Sequence, residues 1–450
     1  MRLYFALTTT ALVIAALCGA PLAWDGSYYL LKALDAQAPF TPHHRLINVL
    51  LQGPALLVSR YTDNMAVLRV LFELGYVAIP LSALAASWWI VRRRAPDLFA
   101  WAALGIGLGA LPGQFNMNSE AIAAVQLFWP ALLALLVGMP GGVAPVAAVL
   151  VALMFLAHPI AGALFVAGAG TAALVALVAP RRRRVLAPWI VGLGVLAVLR
   201  LVVARDSYET SELTAHAQVL AFEKSVLGWP LLALVCAWFA AVALFMARRR
   251  GFAWRGGAAP AYVAACVLVA MTGTALLPWA LDPRAWANAI DFKGWVLAAS
   301  LPFMTIAVVD GVAGRAVEPR PPPMASRHRR GIVHIVGAVF LVVLAAQSLS
   351  FARVSHALGE SIARGAAPCL ATSLLAAVDG TALAHWSLPS YALLQEGKTP
   401  RRLVLGGNGC GEAQRTGRLR ITSWDDSLGR GWFDLRPVRA RIRTSPLPGP

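Results

Sequence analysis

Long apolar blocks separated by short polar joints run through the first two thirds of the chain. A continuous apolar run of about 20 residues matches the length at which a helix crosses a bilayer. Read this way, the pattern predicts about eleven spans, at 3–22, 66–90, 97–112, 121–138, 143–157, 160–179, 185–204, 226–247, 258–281, 294–312 and 331–349. The runs are continuous rather than alternating, which excludes an outer-membrane barrel. The expected fold is an all-α polytopic membrane protein, with a transmembrane domain over 1–350 and a small extracytoplasmic C-terminal region over 351–450. The first apolar block reads as an uncleaved first helix, because many further spans follow it.

The joints between blocks set the expected topology. Arg92 to Arg94, Arg181 to Arg184, Arg248 to Arg250 and Arg327 to Arg330 form four basic clusters. With eleven spans, all four fall on the side of the N-terminus. Basic loops stay cytoplasmic, so the N-terminus is expected inside and the C-terminus outside. The outward loops are then 23–65, 113–120, 205–225 and 282–293. Within the first, Leu46 to Leu57 reads as a short amphipathic helix in the interface. The pair of blocks around His158-Pro159 reads as two short crossings or one broken helix, since proline ends or kinks the helix before it.

Composition narrows the class further. The chain has 450 residues, 59% hydrophobic and 13% charged, with a net charge of +18. That charge sits mostly in the short clusters and the tail, so it points to topology rather than to nucleic acid. The tail is polar, Gly-rich and basic, and carries Cys369 and Cys410. Outside the cell the compartment is oxidising, so these two are candidates for a disulfide, with two unrelated thiols as the alternative.

Carboxylates are scarce within the apolar sequence, and their placement is informative. Asp25 follows the first span in Trp24-Asp25-Gly26-Ser27-Tyr28-Tyr29. A carboxylate beside an apolar helix must face water, a partner or a substrate. Glu120 opens the fourth span after Asn116 and Asn118, where it is a candidate for chemistry or for the first turn of a helix, and the two amides could bind sugar hydroxyls or a metal–phosphate, or cap that helix. Both acids fall on the outward side. Tyr28 and Tyr29 are candidate substrate contacts or interface anchors. His43, His44 and Arg45 could meet an anionic head group or equally form a solvated loop, and Arg205, His216 and His158 are further polar candidates in or near outward loops. No P-loop or dinucleotide fingerprint is present, so an outward-facing enzyme would draw on an activated substrate carried by lipid.

These residues together resemble the polytopic glycosyltransferases of the C superfamily, which use polyprenyl-phosphate sugars at the outer face of the membrane. The resemblance rests on Asp25 after the first span, the long first outward loop, and Asn118-Ser119-Glu120 in the second. It implies Asp25 as the catalytic base or a metal-linked carboxylate, with Glu120 assisting and an optional divalent cation between them. It also implies a bacterial inner (plasma) membrane location, with a polyprenyl-phosphate sugar and an extracytoplasmic acceptor as partners. Many relatives carry two adjacent acids where this chain has Ser119-Glu120, which weakens the implied metal site. The alternatives are a membrane transporter or lipid flippase, and a noncatalytic envelope-assembly protein.

Overall fold

The structure is a computed structural model that describes residues 2–19, 22, 25–113, 120–203, 300, 303–304, 306–308, 310–312, 326–375, 386–421 and 431–445. The predicted spans at 226–247 and 258–281 lie outside these residues, as does most of 294–312.

The described chain is mostly helical. Helices α1 (Arg2–Leu17), α2 (Asp25–Ala36), α3 (Ile47–Val58), α4 (Met65–Val91) and α5 (Phe99–Gly113) are followed by α6 (Glu120–Val137), α7 (Ala144–Phe155), α8 (Ile160–Val178) and α9 (Arg183–Val198). Among the described residues, four helical segments are long and apolar enough to cross a membrane: Met65–Val91, Glu120–Val137, Ile160–Val178 and Pro180–Leu201. Asn64 starts α4 by accepting hydrogen bonds from the amides of Ala66 and Val67, which otherwise lack partners at a helix start. Helix α6 is buried along its whole length, against α4, α5, α7 and α8. A helix apolar on every side belongs at the centre of a bundle, and α6 takes that position. Gly105 of α5 permits the closest approach: a Cβ there would lie 2.0 Å from the ring of Trp129 on α6.

The bundle has two distinct ends. At one, the Tyr4 hydroxyl donates to the Ala103 carbonyl (3.0 Å) and Arg182 donates to the Val137 carbonyl (2.6 Å). Arg94 lies within electrostatic reach of Arg182, so two of the basic clusters meet there. A third starts the long helix α10 (Ser326–Arg364), whose Gly337 packs on Tyr4. The Arg248 cluster is outside the described residues. At the opposite end, the Ile47 amide donates to the Leu156 carbonyl (3.3 Å), joining α3 to the end of α7. The chain breaks at His158-Pro159 into two helices, and α7, at about 18 Å, is short for a crossing.

The boundary read at Ser350 falls inside α10, which continues without a break to Arg364. Beyond it, the C-terminal region departs from a purely helical reading. Strand β1 (Cys369–Ala371) and strand β2 (Leu403–Leu405) pair in parallel, with Cys369 opposite Leu403, and α11 (Leu388–Glu396) lies between them in sequence. Parallel strands need a crossover, and α11 supplies it. Helices α12 (Gly409–Thr416) and α13 (Arg436–Thr444) complete the unit, and Cys369 is disulfide-bonded to Cys410 at the start of α12. The unit is tied back to the bundle. The Tyr391 hydroxyl is 2.6 Å from the Ser355 hydroxyl of α10, and Arg69 of α4 lies over the Tyr391 ring.

The disulfide closes a separation of 41 residues, for which loop entropy stabilises the closed form by about 4 kcal/mol. The Cys410→Ser variant is therefore expected to lose the C-terminal unit first on heating. Limited proteolysis across a temperature series would show cleavage after Arg364 at lower temperature than in the wild type.

Candidate functional site

The end of the bundle opposite the basic clusters holds a buried polar network. Its cation arrives through an unusual turn. His43 and His44 both adopt left-handed backbone, at φ 53° and 58°, which side chains other than glycine rarely do. The turn leaves His44 exposed and buries Arg45 immediately after it. Gln52 holds the preceding segment, accepting from the Phe40 amide (2.7 Å) and donating to the Phe40 carbonyl (2.9 Å).

Arg45 Nη1 donates to Glu120 Oε2 at 2.8 Å, and the two side chains are only 6% and 1% exposed. Asn48 Nδ2 donates to the other carboxylate oxygen, Oε1, also at 2.8 Å. Asn48 Oδ1 in turn accepts from the Tyr76 hydroxyl of α4 (3.0 Å). Each oxygen of Glu120 thus receives a strong donor, and four segments of chain are linked through one carboxylate. Helix α3 reaches this network by turning its polar residues inward. Asn48 and Gln52, one turn apart, are buried, while Leu46, Val49, Leu50 and Leu57 are exposed. This is the reverse of a water-soluble amphipathic helix.

Asp25 is the first residue of α2 and is half-buried. It and Glu120 both act electrostatically on the hydroxyl of Tyr29. Burial pushes the Tyr29 hydroxyl well above its ordinary value, and the Glu120 and Asp25 carboxylates add to that shift, against a smaller opposing effect of Arg45. The same two carboxylates act on Tyr76. The two acids singled out in the sequence therefore share one electrostatic neighbourhood.

A wall of aromatic rings stands beside it. Tyr28 meets Phe40 (5.5 Å) and Trp386 (5.2 Å) edge to face, and Tyr29 also packs on Phe40. Trp386 and Ser387 belong to the C-terminal region, and Ser27 of α2 donates to the Ser387 carbonyl (3.4 Å). The C-terminal unit thus forms part of the site's border.

The other candidates are placed less centrally. His158 accepts from the Ile160 amide (3.2 Å), which caps the start of α8. On the turn, His44 is exposed and His43 is half-buried. Asn116, Asn118, Arg205 and His216 are outside the described residues. Arg45, read in the sequence as a head-group contact, is instead committed to Glu120. Asn48 and Tyr76 were not singled out. The signal for Asn48 was its pairing with Gln52, one turn on, in the apolar run 46–58; Tyr76 had no such signal.

A divalent ion between Asp25 and Glu120 does not fit this arrangement. Both Glu120 oxygens already accept hydrogen bonds, one of them from a guanidinium. Among the described residues, no group of three His, Cys, Asp or Glu side chains converges as a ligand set. The chain matches no protein-family model, no curated protein and no solved structure.

Two outcomes follow. Arg45→Ala should destabilise the protein by about 3–5 kcal/mol, because it strands a buried carboxylate. Arg45→Met combined with Glu120→Leu should recover most of that loss, as read by thermal unfolding in detergent. The raised Tyr29 pKa also has a sign. Its contribution is fully present below the unfolded-state value near 10 and falls away above it, by about 1.4 kcal/mol per pH unit. Tyr29→Phe should therefore flatten the loss of thermal stability between pH 10 and 11.

Proposed function

We propose that the chain is a membrane glycosyltransferase that moves a sugar from a polyprenyl-phosphate donor to an extracytoplasmic acceptor. The basic end of the bundle is cytoplasmic in this reading, and the end holding Asp25 faces outward, in a bacterial inner membrane. The observation that carries it is the half-buried Asp25 in the electrostatic neighbourhood of the paired Glu120, at the end away from the basic clusters.

The roles of the two acids then differ. Glu120 is a positioning residue, since Arg45 and Asn48 occupy its oxygens. Asp25 is the base. It takes the proton of an acceptor hydroxyl as that oxygen forms a bond to the anomeric carbon. The carbon–oxygen bond to the donor phosphate breaks, and the polyprenyl phosphate leaves with the electron pair. Tyr28, Phe40 and Trp386 offer apolar ring surface on which a sugar ring can stack. In this reading the half-buried His43 and the exposed His44 meet the departing phosphate.

A positioned base accounts for about a hundredfold or more in rate. Asp25→Asn should therefore lose transfer by at least that factor in vesicles supplied with labelled polyprenyl-phosphate sugar and envelope acceptors, with thermal stability retained. Undiminished transfer in this variant would remove Asp25 from the role. Movement of labelled lipid across the vesicle without transfer would instead identify a transporter or flippase.

A further inference from the structure

The C-terminal unit carries a surface that the transfer reaction does not use. Among the described residues, its acids are already engaged. Glu412 pairs with Arg420 (3.7 Å), Asp434 with Arg436 (2.8 Å), and Glu396 accepts from the amides of Arg401 and Arg402. Arg401, Arg415, Arg418, Arg441 and Arg443 are all exposed, and among the described residues none of them has an acidic partner. They are close together. Arg441 donates to the Arg401 carbonyl, a Cβ on Gly417 would meet the Arg443 guanidinium, and Gln414 of α12 donates to the Ser445 carbonyl at the end of α13. Val438 and Ile442 anchor α13 inward, while Arg441 and Arg443 remain exposed and Arg439 is half-buried.

The height of this surface is also constrained. Lys398 Nζ bonds Asp63 at 2.7 Å and lies over the Trp432 ring, and its carbonyl accepts from the Asp434 amide. Asp63 is two residues before α4. Helix α4, with 27 residues, is about 40 Å long, the thickness of a bilayer with both head-group regions. With Arg92 to Arg94 at one head-group level, Asp63 and Lys398 stand at the other. The exposed Leu57 and Tyr61 mark the same level.

We propose that this arginine face docks on anionic phospholipid head groups of the outer leaflet, fixing the C-terminal unit over the site. The lipid is favoured over a soluble polyanion because the unit is held at head-group height by Lys398–Asp63 and by the unbroken α10. The inference rests on the proposed topology and not on the transfer reaction.

The test uses the full chain in nanodiscs of phosphatidylcholine with and without phosphatidylglycerol, and counts retained phosphatidylglycerol by native mass spectrometry. The variant replaces Arg415, Arg418, Arg441 and Arg443 with Gln, and a companion replaces them with Lys. Phosphatidylglycerol retention should weaken by about fivefold per arginine removed, and less at high salt, while the Lys companion retains it. Retention equal in wild type and Gln variant overturns the proposal. So does binding of soluble polyphosphate by the arginine face with phosphatidylglycerol retention unchanged. Loss in both variants also overturns it, because a Coulombic lipid contact survives exchange for lysine. Thermal stability and the Cys369–Cys410 bond, measured on each variant, confirm that the comparison is between folded chains. A transfer assay on the same samples reads the Asp25 hypothesis separately.

Discussion

The ion pair between Arg45 and Glu120 is the constraint on which the outward end of this molecule depends. Two charges taken from water cost several kcal/mol each unless geometry and further hydrogen bonds offset that loss. Here the offset comes from the 2.8 Å bond of the pair and from Asn48 on the second oxygen. The arrangement fixes the start of the central helix α6, the turn at His43-His44, the inner face of α3 and, through Tyr76, the flank of α4. Strain in two left-handed histidines is tolerable because the residues on both sides are held, by Gln52 and by Glu120. Asp25 acts electrostatically on the same tyrosine hydroxyls, Tyr29 and Tyr76, as this network does.

Much of the helical plan was legible in the sequence because a crossing segment depends on length and apolarity alone. The basic clusters also carried real geometric information. Those at Arg94 and Arg182 meet at one end, and the start of α10 joins them. That Asp25 and Glu120 would share a neighbourhood followed from counting crossings, although no local motif links them.

What was not legible has physical causes. A soluble helix turns apolar residues inward, whereas α3 turns Asn48 and Gln52 inward and leaves leucines outside. Reading 46–57 as an interfacial helix captured its exposed apolar face but not its polar one. Arg45 follows two histidines, and a run of three cationic types reads as solvated. Only the left-handed turn, which local sequence does not announce, separates it from them. In the tail, strands of three residues are too short to show alternation, so the parallel pair was invisible before the fold. Ser350 lies within α10, because polarity changes there while helical geometry does not.

The order of the ion pair along the chain has a consequence for assembly. Arg45 precedes Glu120 by 75 residues, so it is synthesised first. The cation of this contact is therefore in the chain before the carboxylate that it neutralises. A chain with the two residues exchanged would keep the same final contact. It would, however, present an acid to the first loop and a guanidinium to the head of the central helix during biogenesis. Directionality is thus part of what this contact encodes, and equilibrium stability alone would not reveal it.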